Sequence, residues 1–187
     1  MKKVQKILFV TILSCASVFT NCNKEDECAD VTCYNGGVCD NGTCDCIEGY
    51  EGSSCNDQKT PSRISISEVR IKRFPQSDGG SSWDIGSGPD IFISLSKGSA
   101  LFHTQPTYFE NATSGNNYVY RPTPSIDLTD VTARYSINLY DYDTGSSDDW
   151  MGGIYFTPYY SDNEFPEIIS VDAGAGLAFE LKVNYVW

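Results

Sequence analysis

The sequence predicts an all-β protein: a small disulfide-stapled module followed by an eight-stranded antiparallel β-sandwich. Three observations predict it. Six cysteines crowd into residues 28–55. Apolar residues alternate with polar ones through most of residues 63–187, the period of a half-buried strand. Gly is common at 16 copies, Tyr at 12 and Phe at 9, while helix formers appear in no long run, which favours strands and turns.

The 187 residues suffice for one medium domain plus a small module. The formal charge of −12 argues against a nucleic-acid binder, because phosphates need basic partners. It equally argues against docking on anionic lipid by charge alone. Residues 1–21 contain Lys2, Lys3 and Lys6 and no acid, so without them the chain is three charges more acidic.

Residues 1–21 read as an address. The three lysines precede Ile7 to Phe19, a run apolar except for Thr11, Ser14 and Ser17. That run is too short to span a bilayer and fits the apolar part of a secretory signal. It resembles a bacterial lipoprotein signal, which ends at a cysteine that is acylated after cleavage. Cys15 and Cys22 both occupy such a position. Cys22 is preferred, since removing residues 1–21 leaves six further cysteines that can pair fully. The following Asn23-Lys24-Glu25-Asp26-Glu27 resembles the export signal of Bacteroidetes-type surface lipoproteins. The resemblance implies a lipid anchor with an acidic tether (residues 22–27), holding the protein on the outer membrane and facing the medium.

Residues 28–55 hold Cys28, Cys33, Cys39, Cys44, Cys46 and Cys55. So short a segment needs covalent staples in place of a core, and a secreted setting permits them. Zinc ligation is the competing use of such cysteines, and the oxidising compartment weighs against it. Spacing alone leaves every pairing open. Asn35-Gly36-Gly37-Val38-Cys39 and Cys46-Ile47-Glu48-Gly49-Tyr50-Glu51-Gly52 resemble the EGF-like family. That resemblance implies the pairs Cys28–Cys39, Cys33–Cys44 and Cys46–Cys55. Calcium-binding members place an Asp where Lys24 stands here and an aromatic before the fourth cysteine, which is absent. The module is therefore read as a spacer or protein contact. Polar residues 56–62, with Pro61, read as a linker.

In residues 63–187, alternation marks Ile64, Ile66, Val69 and Ile71, then Ile91, Ile93 and Leu95. It continues at Tyr135, Ile137 and Leu139, at Ile154 and Phe156, and at Leu177, Phe179, Leu181, Val183 and Tyr185. About eight strands in such a length stack as two sheets. Acids gather at the strand ends. Asp84 and Asp90 precede one strand; Asp141, Asp143 and Asp149 follow another. Carboxylates on sandwich loops can supply the six to eight oxygens that Ca²⁺ takes.

Pro89-Asp90-Ile91 and the run Tyr140-Asp141-Tyr142-Asp143 through Asp148-Asp149-Trp150-Met151-Gly152 resemble the C2-domain family of calcium-dependent binding modules. The resemblance implies calcium ligands at Asp84, Asp90, Asp141, Asp143 and Asp149, with a hydroxyl from Ser146. It also implies the permutation with an extra C-terminal strand. Membrane-binding members carry basic or apolar loop tips, whereas Thr144-Gly145-Ser146-Ser147 is neither. Trp83 and Ile85 alone remain to contact a ligand, and Trp150 reads as core packing.

One histidine, His103, leaves no Ser/His/Asp or His-metal engine, so a metal-assisted hydrolase ranks last. The triplets Asn41-Gly42-Thr43 and Asn111-Ala112-Thr113 match a glycosylation acceptor by coincidence in such a lipoprotein. The expectation is a non-enzymatic, calcium-dependent binding or adhesion module shown on the cell surface, its ligand a lipid, glycan or protein. The alternative is an accessory surface protein in which calcium only stabilises the fold.

Overall fold

The computed structural model describes residues 26–187 except 105, 163 and 175. The expected signal, Cys15, the acylation site Cys22 and the first part of the tether lie outside them.

The small module is closed by Cys28–Cys39, Cys33–Cys44 and Cys46–Cys55, the pairs that the EGF-like resemblance implies. Two short antiparallel ladders complete it: β1 (Val38–Asp40) with β2 (Thr43–Asp45), and β3 (Tyr50–Glu51) with β4 (Asp57–Gln58).

The larger unit begins with β5 (Arg63–Arg73), β6 (Ile91–Lys97) and β7 (Ala100–Thr104). Short strands β8 (Tyr118–Tyr120) and β9 (Ile126–Leu128) follow, then β10 (Tyr135–Asp141) and β11 (Asp149–Phe156). It ends with β12 (Ile168–Asp172) and β13 (Ala178–Val186). One sheet runs β11-β10-β6-β7 and the other β12-β13-β5-β8, with β9 also on β5. Every pairing is antiparallel. Strands β8 and β9 share one sheet position. β8 pairs with Val69–Ile71 and β9 with Ile64–Ile66, separated by a stretch holding Pro122 and Pro124 that cannot donate to a ladder. Eight positions are thus filled by nine strands among the described residues.

The inner faces build the core from the alternating residues. Ile64, Ile66, Val69, Ile71, Ile93, Leu95, Ile137, Leu139 and Leu181 are fully buried. Each such side chain contributes about 1.5–3 kcal/mol of transfer free energy. The break in phase between Ile66 and Val69 is a β-bulge: Val183 faces Ile66 and Lys182 faces Glu68, leaving Ser67 unpaired.

Residues 56–62 carry β4 and are bonded on both sides. The Lys59 N–H donates to Gly49 O at 2.9 Å, and the Ser62 N–H donates to Val186 O at 2.8 Å. The Tyr159 hydroxyl donates to Lys59 O at 3.3 Å. Tyr50 of the small module meets Phe165 edge-on at 5.6 Å, and Phe165 packs on Trp187 at 4.7 Å. Gly49 sits at φ 92°, where a Cβ would come within 2.9 Å of both Phe165 and Trp187. The small module is seated on the sandwich through an aromatic contact that only glycine permits.

Candidate metal centre

The two acidic loops emerge at one end of the sandwich. Residues 74–90 join β5 to β6, and residues 142–148 join β10 to β11. Antiparallel pairing of β10 with both neighbours sets Asp141 opposite Ile91 and Asp149. Residues 106–117, between β7 and β8, meet the same end, where Phe109 bridges Ile91 and the Asn111 N–H reaches Asp90.

Asp141 is the pivot. The alternation that turns Tyr135, Ile137 and Leu139 inward carries Asp141 inward as well, and it is only 1% exposed. Its Oδ1 accepts the Asp90 N–H at 2.5 Å. Its Oδ2 is buried and without a hydrogen-bond partner, a costly state for a carboxylate. Burial pushes the Asp141 carboxyl up to about 6, opposed by the Asp90 N–H and reinforced by the charges of Asp84, Asp143 and Asp90.

Asp90 ties three segments together. Its Oδ1 accepts the Asn111 N–H at 2.8 Å, and its carbonyl accepts the Tyr142 N–H at 2.8 Å. Asp84 is raised from its ordinary value by desolvation first, then by Asp90 and Asp143, against a hydrogen bond from Ser87. Four of the five expected acids, Asp84, Asp90, Asp141 and Asp143, therefore share one field.

Asp149 stands across from Asp141 in register, yet its side chain faces solvent. It is not among the charges acting on Asp84 or Asp141. Ser146 is exposed at the loop tip. Asp148 Oδ1 accepts the Asp143 N–H at 3.2 Å, which shapes that loop from within. Ile85 is fully exposed, whereas Trp83 leans on the core and donates its indole N–H to Pro75 O at 2.9 Å.

Trp150, expected in the core, is instead 60% exposed, and Met151 is buried in its place. A register shift between Leu139 and Tyr140 is the cause: Leu139 faces Gly152 and Tyr140 faces Trp150, leaving Met151 as the extra residue that turns inward.

Sequence reasoning missed Asn111, whose backbone amide holds Asp90, and the Tyr108–Tyr142 stack at 4.5 Å beside the site. No spacing rule links residues 106–117 to the acids; only the folded register does.

The donor set is all oxygen, which suits a hard divalent cation. Among the described residues, however, no three His, Cys, Asp or Glu groups stand close enough to hold a metal as placed. The acids share a field without forming a closed cage.

Neither a protein-family model nor a curated protein matches the chain. Solved structures of similar shape include one described as a C2 domain, at TM-score 0.45 and 12% identity, covering 67% of this chain and 98% of that one. Another is human GIVD cytosolic phospholipase A2, at TM-score 0.40 and 14% identity over 68% of this chain. This chain spans only 17% of that enzyme's length. A third is a C2 domain of plant extended synaptotagmin 1, at TM-score 0.35 and 12% identity, covering 69% of this chain and 99% of that one.

Proposed function

We propose that this protein is a calcium-responsive binding module, carried on the outside of a bacterial cell by a lipid on Cys22, with the small module as its mount. The observation that carries the calcium reading is the buried Asp141 Oδ2, left without a partner beside the charges of Asp84, Asp90 and Asp143. Asp84, Asp90, Asp141 and Asp143 would hold the ion, and the exposed Asp149 and Ser146 would join only if their loop closed. The ion would supply positive charge to a buried carboxylate that now has no counterpart.

Binding is proposed rather than catalysis because the carboxylates that share this field would be committed to the ion. A second reading, in which calcium only stiffens the fold, is favoured by the bonds that already strap the loops: Asn111 to Asp90 and Asp143 to Asp148.

Calorimetric titration of the whole chain with Ca²⁺ tests the first point. Heat of binding with a dissociation constant of about 10⁻⁴–10⁻³ M, the range of extracellular modules, is the expected result. No heat with millimolar Ca²⁺ refutes it. Mass spectrometry of membrane-extracted protein tests the anchor: a diacyl or triacyl adduct on Cys22 is expected, and its loss in Cys22→Ser.

A further inference from the structure

The two outer faces of the sandwich differ in kind. The face of the five-stranded sheet is a charge ladder. Glu68 pairs with Arg70 and Arg121, each at 2.9 Å, and Glu180 pairs with Lys72 at 3.2 Å. Such pairs are what a solvated sheet surface carries. The outer face of β11-β10-β6 carries no such ladder; a cation reaches its far end, where Arg134 lies over the Tyr155 ring at 4.1 Å. Register sets Trp150, Tyr140 and Phe92 side by side across three strands, with Phe92 and Tyr140 stacked at 5.3 Å. Behind them come the Asn138 amide and the hydroxyls of Ser94 and Ser96. Among the described residues, no Asp, Glu, Lys or Arg occupies the paired rows from Tyr140 to Ser136, in a chain with 38 charged residues of both signs (13 basic and 25 acidic).

This face is also hollow. A depression of about 380 Å³ lies over it, lined by Phe92, Ser94, Ser96, Leu101, Tyr140 and Asp148, among others. Ser94 is only 4% exposed at its floor, while Leu101 at its rim is 61% exposed. Trp150 lies down toward Asn138, its indole N–H donating to Oδ1 at a long 3.4 Å. That arrangement needs Gly153 beneath it, since a Cβ there would collide with the Asn138 amide oxygen.

We propose that this hollow is a binding site for a neutral carbohydrate chain. A sugar presents C–H groups of slight positive charge that suit the negative face of an aromatic ring such as the exposed Trp150 beside the hollow, and hydroxyls that pair with Ser94, Ser96 and Thr104 of its lining. It brings no charge that would be stranded on an uncharged floor. An anionic peptide or lipid headgroup finds no counter-ion among the lining residues, whose one charge is Asp148 at the rim. The site shares Asp148 with the loop of the carboxylate cluster but uses none of Asp84, Asp90, Asp141 and Asp143, so the proposal does not require calcium.

The test is affinity electrophoresis of the whole chain through gels containing neutral cellulose-, xylan-, mannan- or galactan-type polysaccharide, with EDTA and with Ca²⁺. Retardation by at least one polysaccharide in both conditions is expected. Trp150→Ala and, separately, Leu101→Lys should each weaken it at least tenfold with unchanged melting temperature, because both side chains are mostly exposed. No retardation in any gel, or retardation indifferent to both variants, overturns the proposal. If these variants instead convert a dimer to a monomer in size-exclusion chromatography, the face is a contact between copies, and the proposal also fails.

Discussion

The backbone amide of Asp90 donates to Oδ1 of Asp141 at 2.5 Å, so the end of one strand is pinned by the carboxylate at the end of its neighbour. One oxygen is thereby satisfied, and the other is buried without a partner. The pairing sets the loops in place while leaving a charge that the folded chain accommodates poorly.

That imbalance predicts a pH dependence. The folded-state value of Asp141, about 6 against an ordinary 3.8, means the folded chain holds this proton more tightly than the unfolded one. The contribution is present at low pH and lost as pH rises through about 6. In EDTA, the stability of wild type relative to Asp141→Asn should therefore fall between pH 4 and pH 7. Urea unfolding of both proteins at the two pH values measures it, and the comparison cancels the other acids.

Asp141→Asn should itself be tolerated in EDTA, since it removes an unsatisfied buried charge while its side-chain carbonyl can still accept the Asp90 N–H. Equal or higher stability than wild type at pH 7 is expected by thermal unfolding. A loss of several kcal/mol would mean that the charge is satisfied by a partner within the fold.

Gly49→Ala should loosen the seat of the small module. The new methyl group would press on Phe165 and Trp187 from a backbone conformation that disfavours it. A cost of about 1–3 kcal/mol follows from overpacking. Limited proteolysis should cut residues 56–62 faster in the variant, with the disulfides intact.

Leu139→Ala should cost about 2–5 kcal/mol, the range for a fully buried leucine, because Leu139 is fully buried between the sheets. Urea denaturation gives the value directly. The neighbouring exposed change Trp150→Ala should cost far less.

The strands rich in alternating aliphatics, β5, β6, β10, β11 and β13, were legible in the sequence because burial on one face imposes period two. The short edge strands were not. β8 and β9 hold three residues each, too few for a period, and their shared position appears only once both pair with β5. The disulfide pairs were legible through family resemblance, since spacing alone leaves them open. At the site, Asp90 and Asp141 were legible from strand ends, and Asp84 from its distance before β6. The inward turn of Met151 in place of Trp150 was not, because a bulge shifts facing without changing composition.

Thermal unfolding of the whole chain at pH 7, in EDTA and then in millimolar Ca²⁺, tests the central claim most directly. An ion at about 100 times its dissociation constant adds about 2.7 kcal/mol to the folded state. A clear rise in melting temperature with Ca²⁺, absent in Asp141→Asn combined with Asp143→Asn, is the predicted result. An unchanged melting temperature at about 10 mM Ca²⁺, a concentration about ten times the weakest expected dissociation constant, would contradict it and leave these acids as the ordinary aspartates of loops.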